Sequence, residues 1–239
     1  MRLTPMILRA LRFPFIAPAV LAAALLAVPA VSHAQNVAGA AGSGTHFKDT
    51  SSFKLAPGQK AAIIVFEDLE CPACAHASPI VHTAIEHYKI PLMRHDFLIK
   101  SHEWSKDAAI TARYLQDKVS PELGDQFRSD VFSAQQTISG KDDLAGFTRK
   151  WFTDHKQQLP FVMDPSGRFA AEVQADCTMG ERIGLNQTPT IVVLAPNGWT
   201  QVMDIAQLYT TIDSALAQSP ARSAIPVKSA ARKPRLAQK

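Results

Sequence analysis

The chain has 239 residues and a formal net charge of +4, but its positive charge is concentrated at the two ends. Residues 1–34 carry three of the 25 basic residues, and residues 222–239 carry six without any acid. The body between them sets 16 basic residues against all 21 acidic ones, so it carries about five negative charges. This balance argues against a nucleic-acid-binding protein. The length suits one good hydrophobic core and is short for two large domains.

The first 34 residues have the order of a secretory signal peptide. Three arginines precede an apolar run over residues 13–31, and Ser32-His33-Ala34 places small residues at positions −3 and −1 relative to a signal cleavage site. Prolines interrupt the run, which makes it a poor membrane-spanning helix. We therefore expect cleavage after Ala34 and export to the periplasm or the medium, with an uncleaved anchor as the alternative.

Two further segments are expected to lie outside the core. Residues 35–50 are small and polar and predict a flexible lead-in, while residues 218–239 form a basic, proline-containing tail that cannot bury enough apolar surface to order itself. A solvated tail is the favoured interpretation, and contact with an anionic membrane is the alternative. The folded domain is expected over residues 51–217. It is expected to be a monomer, because no dimerisation segment is evident before residue 50.

The first half of the body predicts strand, helix, strand and then a block of helices. Residues 61–66 form a continuous apolar run typical of a strand that is buried on both faces. A helix containing Pro79 follows, and residues 90–99 are a second strand candidate. Three amphipathic stripes then predict a helical insertion at about residues 101–160.

The second half predicts one more helix and a strand hairpin. Asp164-Pro165 has the pattern of a helix start, and Gly184 suits the end of that helix. The remaining predicted elements are a strand, a returning strand and a final helix at residues 190–194, 199–204 and 205–217. The order of elements predicts a mixed α/β domain with a helical insertion in its middle.

The segment Cys71-Pro72-Ala73-Cys74 lies where the first strand ends and the first helix begins. A helix N-terminus has unpaired N–H groups and roughly half a positive charge, which favours a thiolate on Cys71. Pro72 suits the first helical position, and Cys74 is one turn away, where it can resolve a mixed disulfide on Cys71. A zinc site or an inert disulfide is less favoured, because no second CxxC and no His-x-His pair exists.

The third cysteine and the nearest histidine are expected to be bystanders. Cys177 shares an apolar stripe with Phe169 and Val173, which predicts a buried, inert thiol, with a regulatory or intermolecular role as the alternative. His76 lies one turn into the first helix and is expected to face solvent, with tuning of the cysteine pair as the alternative.

The segment of residues 66–74, together with Thr188-Pro189-Thr190, resembles the DsbA-like branch of the thioredoxin superfamily. The resemblance covers roughly residues 50–217 and implies a thioredoxin fold with a central helical insertion. It implies that Pro189 is cis and lies beside the cysteine pair, and that Thr188 offers backbone groups to an extended client segment.

Two positions depart from that family. It usually has a buried acid six residues before the first cysteine, which serves proton transfer to the resolving thiol, but this chain has Val65 there. Glu67 or Glu70 could take its place, and the sequence does not show which. Strong oxidants carry a histidine between the cysteines, where this chain has Ala73. We therefore expect a less stabilised thiolate on Cys71, and a redox potential between those of the strong oxidases and the reductases.

The resemblance implies an enzyme, a thiol–disulfide oxidoreductase that needs no bound cofactor or metal. Its partners would be exported proteins with thiols or disulfides and a redox protein that recycles the pair. The candidate site residues are Cys71 and Cys74 as the catalytic pair, Pro72, Ala73 and Pro189 as support, and Thr188 with Pro189 for the client. A disulfide reductase or isomerase is the alternative, followed by a peptide-binding chaperone on the same fold.

Overall fold

The computed structural model describes residues 37–39 and 47–218, the first of these segments by its backbone alone. The expected signal peptide, part of the expected lead-in and the basic tail beyond residue 218 lie outside the described residues. Within the described ranges, no helix combines the length and apolar character that crossing a membrane requires.

Five strands and six helices make up the described part of the chain. In chain order they are β1 Val37–Gly39, β2 Ala62–Glu67, α1 Pro72–Tyr88, β3 Leu92–Asp96, α2 Ser105–Lys118, α3 Pro121–Ala134, α4 Lys141–Asp154, α5 Arg168–Ile183, β4 Thr190–Ala195, β5 Gly198–Val202 and α6 Leu208–Ala217. Two short 3₁₀ turns, Gln135–Thr137 and Ile205–Gln207, follow α3 and precede α6.

The strands form one sheet in the order β1-β5-β4-β2-β3, in which only the β2–β3 pair is parallel. Successive side chains of β2 point to opposite faces. Ile63 and Val65 pack with α1 and α6, whereas Ile64 and Phe66 pack on the other face with the end of α5. Strand β2 is therefore buried on both faces, and the chain leaves its carboxyl end directly into the cysteine segment.

Helices α2, α3 and α4 form the block expected between β3 and α5. Their contacts centre on buried side chains such as Leu115, Phe127 and Phe152. The same apolar cluster includes Cys71 and Cys74, so the helical block packs directly beside the cysteine pair. A mixed α/β thioredoxin fold with a central helical insertion, the fold class expected from the sequence, is confirmed.

The start of α5 differs from its prediction. The helix begins at Arg168 rather than at Asp164-Pro165, because the chain first turns at Gly167, whose φ is 71°. The Asp164 carboxylate still accepts the N–H of Ala170 at 2.8 Å. The predicted end is correct, because Gly184 closes the helix with a φ of 90°.

Two other boundaries differ as well. β5 ends at Val202, and the final helix begins as a 3₁₀ turn because the Asp204 carboxylate accepts the N–H of Ala206. Val37–Gly39 pairs with β5, and the Lys48 N–H donates to the carbonyl of Ile183 at 2.7 Å. The open edge of β5 offers backbone groups that even a small, polar segment can pair with.

Candidate active site

Cys71 is the N-cap residue of α1 and has extended backbone angles, φ −82° and ψ 119°. Pro72 occupies the start of the helix, where no N–H is required, and the N–H groups of the first turn point towards the Cys71 end. Cys71 and Cys74 are both free thiols, and their residues are 8% and 2% exposed. The predicted placement of the pair at a strand–helix junction is confirmed.

The Cys71 thiol is strongly acidified. A hydrogen bond from the Cys74 thiol makes the largest contribution to lowering its pKa. Burial opposes this, and the Thr188 side chain and the N–H groups of Cys74 and Ala73 add to the lowering. Together they lower the pKa of Cys71 from 9.0 to about 5. Cys71 is therefore a thiolate at neutral pH, the form in which a cysteine is nucleophilic.

Cys74 has the opposite character. Its hydrogen bond with Cys71 and its burial raise its pKa well above the ordinary range, although the N–H of Asp68, 3.5 Å from the sulfur, opposes the shift. Two thiols one helical turn apart thus hold their protons very differently. Cys71 is ready to attack or to be attacked, while Cys74 stays protonated until a later step.

The Thr188–Pro189 peptide bond is cis, as the resemblance implied. The Thr188 carbonyl lies 3.4 Å from the Cys71 sulfur, whose thiol donates to it. The Thr188 hydroxyl is buried and has no hydrogen-bond partner among the described residues. A hydroxyl rotates freely, so it is available to donate to Cys71 once the thiol proton has left, in agreement with its lowering effect on the pKa.

Glu70 and Gln135 tie the cysteine segment to the helical insertion. The Glu70 carboxylate accepts the N–H groups of Trp104 and Ser105 at 2.8 and 3.0 Å and so caps α2. The Gln135 amide donates to the carbonyls of Leu69 and Cys71 at 2.7 and 3.1 Å. Sequence reasoning missed both contacts. They join residues at least 34 positions apart, and no local pattern reports them.

Asp68 is a second residue that the sequence did not single out. It is 1% exposed, and its carboxylate binds the N–H of Ile99 at 2.7 Å and the ring of His102 at 2.9 Å. Its other oxygen accepts the N–H of Glu70 at 2.8 Å. Asp68 thereby fixes the loop that carries Cys71.

The structure places the remaining sequence candidates around this centre. Pro72 and Ala73 are exposed beside Cys71, and His76 faces solvent as expected. Cys177 is only partly buried, although its apolar stripe predicted a buried thiol, and it donates to the Asp96 carbonyl at 3.6 Å. Burial raises the pKa of Cys177, which keeps it a thiol at neutral pH.

Within residues 47–218, no group of three or more histidine, cysteine or acidic side chains is arranged to hold a metal ion.

Comparisons with known proteins place the chain in a family. Residues 56–213 match the family described as Thioredoxin. Among solved structures, BdbD from Bacillus subtilis aligns with a TM-score of 0.54 at 17% identity, over 68% of this chain and 88% of that one. A periplasmic thioredoxin-like protein from Salmonella enterica serovar Typhimurium aligns with a TM-score of 0.54 at 13% identity, over 68% and 87%.

The thiol-disulfide exchange protein alpha-DsbA2 from Wolbachia pipientis aligns with a TM-score of 0.51 at 16% identity, over 66% of this chain and 83% of that one. No curated protein matches the chain. At these identities the solved structures show a shared fold, whereas the family match covers most of the folded domain. The chain belongs to the thioredoxin family.

Proposed function

We propose that this protein is an exported thiol–disulfide oxidoreductase that exchanges disulfides with secreted or envelope proteins through Cys71 and Cys74. The observation that carries the proposal is the contrast between the two thiols: the pKa of Cys71 is lowered to about 5 while that of Cys74 is raised. A purely structural cysteine pair has no need of this contrast. An exchange enzyme needs one thiolate and one protonated resolving thiol.

The exchange begins when the Cys71 thiolate attacks a client disulfide. One client sulfur leaves as a thiolate, and the other stays bonded to Cys71 as a mixed disulfide. Cys74 then attacks Cys71, which releases the second client sulfur and leaves a Cys71–Cys74 disulfide. The same steps in reverse transfer a disulfide to a reduced client, and a redox partner restores the starting state of the pair.

Client recognition is assigned to the cis-proline loop. The Thr188 carbonyl lies 3.4 Å from the Cys71 sulfur, the atom that attacks the client disulfide. An extended client segment can pair with this backbone as an added strand. Export rests on the signal-like residues 1–34, and a solved thioredoxin-like protein with this fold is periplasmic.

Trapping of the mixed disulfide tests the proposal. In a Cys177→Ala background, Cys74→Ser is expected to accumulate a covalent adduct with an unfolded, disulfide-containing test protein, because the resolving thiol is absent. Cys71→Ser is the matched control and is expected to form none, since the remaining thiol is buried and protonated. Non-reducing electrophoresis after an acid quench measures the adduct.

Equal trapping by both variants, or by neither, would contradict the assigned roles of Cys71 and Cys74.

The alternative of a peptide-binding chaperone is tested with the same proteins. If Cys71→Ser suppresses aggregation of a reduced client as well as the parent does while exchange is lost, both activities exist. If the parent shows only the suppression, the oxidoreductase proposal fails.

A further inference from the structure

Three successive residues of the cysteine segment are bound by the helical insertion. The Glu70 carboxylate accepts the N–H groups at the start of α2. The Gln135 side chain donates to the carbonyls on either side of Glu70, those of Leu69 and Cys71. The Cys71 N–H in turn donates to the Asp68 carbonyl at 3.0 Å. Both polar groups of the Cys71 backbone are therefore held by hydrogen bonds.

The bond from Gln135 to Cys71 is not needed to satisfy the Cys71 carbonyl. The N–H groups of Cys74 and Ala75 already donate to that oxygen, at 3.0 and 3.1 Å, and close the first turn of α1. A carbonyl oxygen has two lone pairs, so these two helical bonds satisfy it. The Gln135 amide adds a third donor from a residue 64 positions away. Its effect is to fix the orientation of the Cys71 peptide rather than to complete the helix.

The orientation of the Cys71 backbone decides where its sulfur lies, because a single rotatable bond separates the two. The sulfur lies 3.4 Å from the Thr188 carbonyl, and Cys71 is the N-cap residue of α1. The Cys74 thiol, the Thr188 side chain and the N–H groups of Cys74 and Ala73 lower the pKa of Cys71 against the effect of burial. Each of these contributions depends on the distance and direction of the sulfur.

The Gln135 amide also acts through its charge distribution. Its Nε2 lies 3.1 Å from the Cys71 carbonyl oxygen, so the positive end of the amide dipole is close to the reactive residue. A positive partial charge nearby favours a thiolate over a thiol. The orientation of the Cys71 peptide and the dipole of the amide therefore act in the same direction, and both favour the thiolate of Cys71.

We propose that Gln135 is a positioning residue for disulfide exchange, through which the helical insertion holds the Cys71 sulfur where it reacts. The proposal rests on the proposed function and deepens it. Gln135 takes no part in bond making, since its side chain binds only the carbonyls of Leu69 and Cys71. The reactivity of the cysteine pair thus depends on the packing of the 3₁₀ turn Gln135–Thr137, which follows α3 and lies outside the sheet.

Gln135→Met in a Cys177→Ala background tests the proposal, because methionine has nearly the length of glutamine and donates no hydrogen bond. We expect the pH midpoint of Cys71 alkylation by iodoacetamide to rise by about 0.5 to 1 pH unit, the scale of one hydrogen bond. At pH 7, the exchange equilibrium with glutathione should move about three- to tenfold towards the Cys71–Cys74 disulfide, because a less stabilised thiolate makes the reduced protein less stable.

Gln136→Met is the matched control. Gln136 follows Gln135 directly, its side chain is exposed, and both residues line the same groove next to Pro72. We expect this variant to leave the midpoint and the glutathione equilibrium unchanged. Gln135→Asn keeps the amide but is one methylene shorter. It is expected to raise the midpoint by less than Gln135→Met does, and it replaces that variant in the test if Gln135→Met does not fold.

An unchanged midpoint in the Gln135 variant that folds overturns the proposal, whatever the variant does to the free energy of unfolding in urea. In that case Gln135 has a structural role alone. An equal rise of the midpoint in Gln136→Met overturns it as well, because the effect then does not depend on the two hydrogen bonds. A parent protein whose cysteine pair forms no disulfide with glutathione would instead contradict the proposed function itself.

Discussion

Replacing Arg128 by methionine is expected to lower the free energy of unfolding by about 3–5 kcal/mol, the usual cost of removing one partner of a buried ion pair. Arg128 is 3% exposed and binds both oxygens of the Asp96 carboxylate, at 2.8 and 3.2 Å. Asp96 is 1% exposed. Burial alone would raise its pKa, but Arg128 and Arg113 outweigh burial and hold the pKa below its usual value. Without Arg128, a buried carboxylate loses its main cation.

Urea unfolding of the reduced protein measures this loss. Arg149→Met is the matched control: it makes the same chemical change at an exposed position on α4 and is expected to stay within about 0.5 kcal/mol of the parent. Because Asp96 has a depressed pKa, its contribution to stability is present above its unfolded pKa and is lost as the pH falls through the folded value. The free energies of unfolding of the two variants should therefore converge at acidic pH. If Arg128→Met lowers the free energy of unfolding at neutral pH by no more than the exposed control does, the buried network does not support the fold.

Alkylation of Cys71 in a reduced Cys177→Ala protein is expected to follow a pH midpoint of about 5. An ordinary cysteine would titrate near 9.0, so at pH 7 Cys71 is almost fully ionised while an ordinary thiol is about 1% ionised. A thiolate of lower pKa is also intrinsically less nucleophilic. The midpoint is therefore the informative quantity rather than the rate itself. Mass spectrometry of iodoacetamide adducts over a pH series gives it.

Cys74→Ala is expected to move this midpoint upwards, because the Cys74 thiol makes the largest contribution to lowering the pKa of Cys71. An unchanged midpoint in Cys74→Ala, or a parent midpoint near 9, would refute the assigned electrostatics. The depressed pKa of Cys71 also makes the stability of the reduced protein depend on pH. The contribution of the thiolate to its stability is fully present above about pH 9 and is lost as the pH falls through about 5.

Local patterns predicted the parts of the fold that depend on neighbouring residues. The apolar run at residues 61–66 identified β2, Pro72 marked the first turn of α1, and Gly184 marked the end of α5. Each of these features follows from strand or helix periodicity or from the backbone preference of one residue. The cysteine pair was found for the same reason, because its spacing and its position after a strand are local.

The network that supports the pair was not predictable in this way. Arg128 directly follows the core residue Phe127 in an amphipathic helix, where a charged side chain is expected to face solvent. It is buried because α3 packs against the carboxyl ends of β2 and β3, which carry Glu67 and Asp96. Only the tertiary arrangement brings these charges together. The sequence therefore left open whether Glu67 or Glu70 lies behind Cys74.

The redox potential of the Cys71–Cys74 pair, equilibrated with glutathione in a Cys177→Ala protein, tests the central claim most directly. A Cys71 pKa of about 5 lies between the thiol pKa values of thioredoxin, about 7, and of DsbA, about 3.5. We therefore expect a reversible disulfide with a potential between about −270 mV and about −120 mV, the values of those two proteins. A pair that does not cycle, or a potential at or beyond either limit, would contradict the account.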